Sequence, residues 1–217
     1  MPENEKEKDP NMLSEVKVGI DTIDSFIKIS KEIAKLPKLF MADYKGCASD
    51  FAEICRKILD GNENVVRWFN KFLYFDFTAS DARKQFFDLK SEYEALKAGS
   101  GYQALKFDCG EIQTIYHKRI ASKTWFKGKK LKESEDIFDK LTNADGSMVG
   151  FVFNEVFGKL SEFANEAEKF VDSKNFDEAE EARLRFKVKS QKIVQRLQLF
   201  SSELSELVLD FSEKARS

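Results

Sequence analysis

Few residues in this chain have side chains suited to covalent or metal chemistry. Among 217 residues there is one histidine, His117, and there are three cysteines, Cys47, Cys55 and Cys109. A di-iron helical bundle needs a Glu-x-x-His pair on each of two helices, and one histidine cannot supply both. A closed zinc site would need all three thiolates together with the imidazole. Cys47 and Cys55 are eight residues apart, and so are Cys109 and His117. On a helix that spacing spans about 12 Å, too wide for two ligands of one zinc at about 2.3 Å each. A Cys–His nucleophilic pair would have to be assembled by the fold, and the local sequence does not favour one. Cys47 and Cys109 fall on apolar seams and Cys55 beside one, the ordinary setting for cysteine used as a small hydrophobe. His117 precedes Lys118 and Arg119 on a polar face. Neither GxxxxGK[ST] nor GxGxxG occurs, so no phosphate loop is expected. The 38 acids form four-residue pairs such as Glu135–Asp139 and Glu162–Glu166, which read as solvated helix faces. The expectation is no catalytic residue, no metal site and no cofactor. A metal-dependent or Cys-dependent enzyme is the minor alternative.

One segment departs from the rest in charge. From Ile112 to Lys132 there is no acid, and there are seven bases: Lys118, Arg119, Lys123, Lys127, Lys129, Lys130 and Lys132. The remainder of the chain carries 29 bases against 38 acids. Trp125 and Phe126 lie inside the basic stretch, followed by Gly128. Rings that enter an interface beside ammonium groups that meet phosphates suit an anionic membrane surface. The same mixture could grip nucleic acid, with Trp125 as a stacking platform, but nucleic-acid binding usually comes with a basic domain, and this remainder is acidic. The plainer account is a bundle end, since bases at a helix C-terminus complement its dipole and the two rings can fold back onto the core. The expected binding residues are Lys118, Arg119, Lys123, Trp125, Phe126, Lys127, Lys129, Lys130 and Lys132, facing a protein partner, another copy or an anionic surface.

The elements that would hold these residues are helices. Apolar residues recur at alternating spacings of three and four. The first seam is Leu13, Val16, Ile20, Ile23, Ile27, Ser30 and Ala34, closed by Pro37. The second is Phe40, Tyr44, Cys47, Phe51, Ile54 and Ile58, with Gly61 as its stop and Asn62 as the next cap. The third runs from Val65 through Trp68, Phe72, Phe75, Ala79, Ala82, Phe86, Leu89 and Tyr93 to Leu96, and is expected as one helix with an irregularity at Asp76–Ser80. A less regular fourth is carried by Leu105, Cys109, Ile112, Tyr116 and Ile120, with a short amphipathic piece at 131–142. The sixth is Val149, Phe153, Val156, Leu160, Phe163, Ala167 and Phe170. The last is Phe186, Ser190, Ile193, Leu197, Phe200, Leu204, Leu207 and Phe211, after a cap formed by Asn175 and Glu178. Phe69, Leu73, Phe151, Val152 and Phe157 widen the stripes, as helices with several neighbours require. Gly150 and Gly158, eight apart, suggest a close helix approach.

Composition agrees with this pattern. The chain is 42% hydrophobic and 34% charged, with only 10 glycines and 3 prolines. A chain this long buries roughly 70% of its unfolded surface and needs no staple. No run approaches the ~20 apolar residues of a spanning helix, and the odd cysteine count fits a reducing compartment, so a cytoplasmic location is expected. Residues 1–11 read as a disordered leader, and 12–217 as one all-α domain, an elongated up-and-down antiparallel bundle with coiled-coil-like heptad packing. The expected function is non-enzymatic interaction or scaffolding, with peripheral binding to anionic lipid as the alternative.

Overall fold

The structure is a computed structural model. It describes residues 24–28, 30–35, 44–98, 110–120, 136, 137, 139 and 157–217. The leader 1–11, most of the first and sixth seams' early residues, Gly150 and the stretch 121–135 lie outside these. Every regular element among the described residues is helical, and the helices pack against one another. In chain order they are α1 (Tyr44–Leu73), α2 (Ala82–Ala98), α3 (Phe157–Asp172) and α4 (Phe176–Arg216). Residues 24–28 and 30–34 are also helical, as are 110–115, which lead into a π turn at Tyr116–Ile120.

The second and third seams meet within α1, not at a boundary. Gly61 and Asn62 are interior residues of a 30-residue helix, which corrects the expected stop and cap. Cys47, Phe51, Ile54, Ile58, Asn62, Val65, Phe69 and Phe72 keep the three–four spacing without a gap, and all are buried. A glycine inside a helix costs only about 1 kcal/mol, which this continuous apolar stripe outweighs. Asn62 is satisfied by tertiary contacts instead of by capping. Its Nδ2 donates to the Leu197 carbonyl at 2.6 Å and to Ser201 Oγ at 2.8 Å on α4.

The third seam, expected as one helix, is broken. The helix ends at Leu73, and residues 74–81 form turns before α2 begins. Asp76 is the cause: its carboxylate accepts from the Thr78 N–H at 2.8 Å and from Thr78 Oγ1 at 2.6 Å. Such a local turn competes with the helical ladder. Arg183 of α4 donates to the Leu73 carbonyl at the end of α1, and Phe77, in the turn, is 2% exposed against the core. The two bonds from Thr78 hold the Asp76 carboxyl below its ordinary value of 3.8. A depressed carboxylate stabilises the fold above its unfolded pKa, and that contribution is lost as pH falls through the folded pKa. A carboxyl titration followed by NMR should therefore place Asp76 below 3.8, and Thr78→Ala should move it upward. No movement would mean that the turn does not form.

Partner pairs give the helix directions. Along α1 and α4, Phe51 stacks on Phe211 and Phe69 on Phe186, so these helices run antiparallel. The 24–34 stretch runs the other way: Asp24 pairs with Arg196 and Lys31 with Glu203, in step with α4. Tyr93 to Ser161, Lys90 to Glu168 and Arg83 to Asp172 make α2 antiparallel to α3. Between α3 and α4 the chain turns at Lys174, whose φ is 60°. Asn175 N–H bonds the Phe170 carbonyl and Lys174 N–H the Val171 carbonyl, the paired bonds of a helix stop with one left-handed residue. Asn175 Oδ1 then accepts from the Glu178 N–H at 3.4 Å to start α4. Among the described residues no close approach occurs at Gly158, where a Cβ would meet nothing within 4 Å, and Gly150 lies outside them.

Candidate functional site

Of the nine residues expected to bind, the structure describes two positions. Lys118 is exposed, and both it and Arg119 lie in the π turn Tyr116–Ile120. Lys123, Trp125, Phe126, Lys127, Lys129, Lys130 and Lys132 lie outside the described residues. The entry to the basic stretch is well anchored. Ile112, Ile115 and Tyr116 are buried, and Lys57 of α1 pairs with Glu111. Single π turns inside helices recur at functional sites, and here the turn marks the start of the basic run. His117 meets Tyr116 edge to face, with ring centres 5.2 Å apart. Its Nε2 stands 3.6 Å from Asp139 Oδ1, both side chains partly exposed. That distance is too long for a hydrogen bond.

A second cluster joins α2 to α3. Lys97 Nζ donates to Ser161 Oγ at 2.8 Å, Ser161 Oγ lies 3.1 Å from Tyr93 Oη, and Tyr93 Oη donates to the Phe157 carbonyl. Because Tyr93 gives its proton to the carbonyl, the Ser161 hydroxyl proton points at Tyr93 Oη. Burial is the main cause pushing the Tyr93 phenol up to about 12, so it stays protonated. The chain of bonds joins two helices.

The third feature is the outer face of α4. Leu184, Val188, Leu199 and Leu209 are 47%, 75%, 46% and 65% exposed. At 100° per residue they fall within an arc of about 80°. Gln191, Gln195 and Ser202 lie in the same arc and are exposed, so the row from 184 to 202 carries no charge. This is the opposite side from the buried row Phe186, Ser190, Leu197, Phe200, Leu204, Leu207 and Phe211. Beside it, an open groove of about 510 Å³ runs between Glu63, Arg67 and Lys71 of α1 and Gln198 and Ser201 of α4.

No protein-family model, curated protein or solved structure matches this chain.

The remaining reactive groups have structural settings. Cys47 and Cys55 are buried, and burial pushes the Cys55 thiol up to about 12. A buried, protonated thiol is a poor nucleophile and a poor metal ligand. Cys109 lies outside the described residues. Among the described residues no three His, Cys, Asp or Glu side chains converge as metal ligands. Glu166, half of an acidic pair in the sequence, takes Arg185 at 2.8 Å. Sequence reasoning missed the Lys97–Ser161–Tyr93 chain, because Ser161 adjoins Leu160 on an apolar helix and nothing local signals its partners. It also missed the outer row of α4, because its four apolar residues are 4, 11 and 10 apart and leave no continuous three–four pattern.

Proposed function

We propose that this chain is a non-enzymatic interaction or scaffolding protein, an up-and-down antiparallel bundle with coiled-coil-like packing that works in the cytoplasm and binds partners through helix faces. The observation that carries the reading is the exposed apolar row on α4, which is uncharged from 184 to 202. Single exposed apolar residues are ordinary, but an aligned row is the mark of a contact surface. Recognition between helices uses apolar anchors that share one helix face. The test is affinity capture from the cells that make the protein, comparing wild type with a Val188→Glu/Leu199→Glu variant. A partner lost only in the variant supports the reading. An unchanged set of captured proteins sinks it.

A second reading rests on the basic segment. Seven bases without an acid, with Trp125 and Phe126 among them, suit an anionic bilayer. Each base near such a surface is worth about 1 kcal/mol, and exposed charges are screened over about 8 Å at physiological salt. Replacing Lys127, Lys129 and Lys130 with Glu should abolish flotation with phosphatidylserine vesicles and leave the helical circular dichroism unchanged. Trp125→Ala should weaken flotation by removing interfacial burial. Wild-type protein that stays with the soluble fraction at low salt would end the membrane reading.

A further inference from the structure

We infer that the outer face of α4 pairs antiparallel with the same face of a second copy, about a two-fold axis at Leu199. This rests on the reading of α4 as a contact surface and names its partner. The argument is charge complementarity. Between Glu181 and Glu203 the helix carries six bases and no acid: Arg183, Arg185, Lys187, Lys189, Lys192 and Arg196. Between Arg196 and Lys214 it carries four acids and no base: Glu203, Glu206, Asp210 and Glu213. α4 therefore has a basic stretch at 183–196 and an acidic stretch at 203–213, after the acids of its first turns and before Lys214 and Arg216, with the apolar row running through both.

Parallel pairing of two copies would set like charge on like, whereas antiparallel pairing sets the basic stretch of each copy on the acidic stretch of the other. With Leu199 against Leu199 of the second copy, Lys192 faces Glu206 of the second copy, and Val188 falls beside Leu209. The two-fold axis makes each contact twice. Lys192 and Glu206 are both exposed, and neither has an ion-pair partner among the described residues. Three of the other charges are taken within the chain: Lys31 holds Glu203, Lys214 holds Asp210 and Asp24 holds Arg196. The two charges that the pairing needs are thus still available. The centre of the contact, Gln195 to Ser202 on this face, is uncharged and holds Leu199, and Lys192 and Glu206 flank it.

Size sets the strength. From Leu184 to Leu209 the row is about 38 Å long at 1.5 Å per residue. With a helix about 10 Å wide it covers on the order of 400 Å² per copy, about half of a standard interface side. The dimer is therefore a weak one, formed at high concentration and loosened by salt.

The experiment is sedimentation equilibrium of the full chain over a concentration series at low and high salt. Wild type should show a reversible monomer–dimer equilibrium that weakens as salt rises. Leu199→Glu places two carboxylates at the axis and should leave only monomer, with circular dichroism unchanged because the side chain is exposed. Lys192→Glu and Glu206→Lys should each weaken the dimer at least about tenfold, since two attractive pairs become repulsive. The double variant Lys192→Glu/Glu206→Lys should recover it. Equal amounts of the two single variants should form a mixed dimer, because each then offers the other both complementary pairs. A wild type that is monomeric throughout overturns the inference, as does a dimer that Leu199→Glu leaves intact. Failure of the double variant to recover also overturns it. A monomer that still captures an unlike protein through α4 sinks self-pairing and leaves the contact-surface reading standing. A monomer that captures nothing sinks both.

Discussion

Phe72→Ala should cost about 3–5 kcal/mol, the usual range for removing a buried ring. Phe72 is fully buried near the end of α1, where three helices meet. Its ring meets Phe86 and Tyr93 of α2 edge to face at 6.5 and 5.4 Å, and Phe163 of α3 at 6.0 Å. Such pairs add about 0.5–1.5 kcal/mol each beyond area burial. The site cannot easily collapse, because the surrounding rings are themselves held. Phe86 packs on Phe75 and Phe77, and Phe163 stacks on Phe186 at 4.7 Å. Against a total stability of about 5–15 kcal/mol, the variant should lose much of its denaturant midpoint with an unchanged slope. A loss below about 1 kcal/mol would mean that α2 and α3 do not close over α1 here.

The second large effect is expected at Leu197. It is 2% exposed in the middle of α4, between the buried Val194 and Phe200. Leu197→Ala should cost roughly 2–5 kcal/mol by the same cavity argument. The substitution keeps the backbone carbonyl that accepts from Asn62, so the loss reports packing alone. Leu199→Ala, two residues on and half exposed, is the control and should change stability by less than about 0.5 kcal/mol. Equal losses at the two positions would contradict the assignment of inner and outer faces on α4.

The inner faces were legible because burial leaves a period in the sequence. Phe51, Ile54 and Ile58, Leu160 and Phe163, and Leu197, Phe200, Leu204 and Phe211 were all placed on seams, and all are buried. Small offsets remain, such as Val194 being buried where Ile193 was expected, because neighbouring residues share the edge of one stripe. The ends of elements were less legible, for a physical reason. Asn62 looks like a cap because its preference for helix ends is local, but its partners in the fold are 135 and 139 residues away. The break after Leu73 has the opposite origin. Asp76 and Thr78 do signal a turn, but the apolar spacing runs through it, and period alone favoured one helix. For the candidate site, charge counting picked out the basic run in the sequence, and the structure places its first two bases, Lys118 and Arg119, in a π turn. It could not locate Lys97 on Ser161, a contact that depends on how two helices are set side by side.

The way α4 spans the molecule has a consequence during synthesis. The Leu73 carbonyl at the end of α1 bonds Arg183, 110 residues later, and Lys31 waits 172 residues for Glu203. At about 5–20 residues added per second, the first of these waits lasts roughly 6–22 s. A helix of α1's length forms in about a microsecond, so throughout that interval its aromatic stripe has no α4 to cover it. Closing so long a loop also makes folding slower than in bundles held by neighbouring contacts. The nascent chain should therefore depend on a chaperone that masks Phe51, Phe69 and Phe72. Slowing translation before α4 should lengthen that dependence, and slowing it afterwards should not.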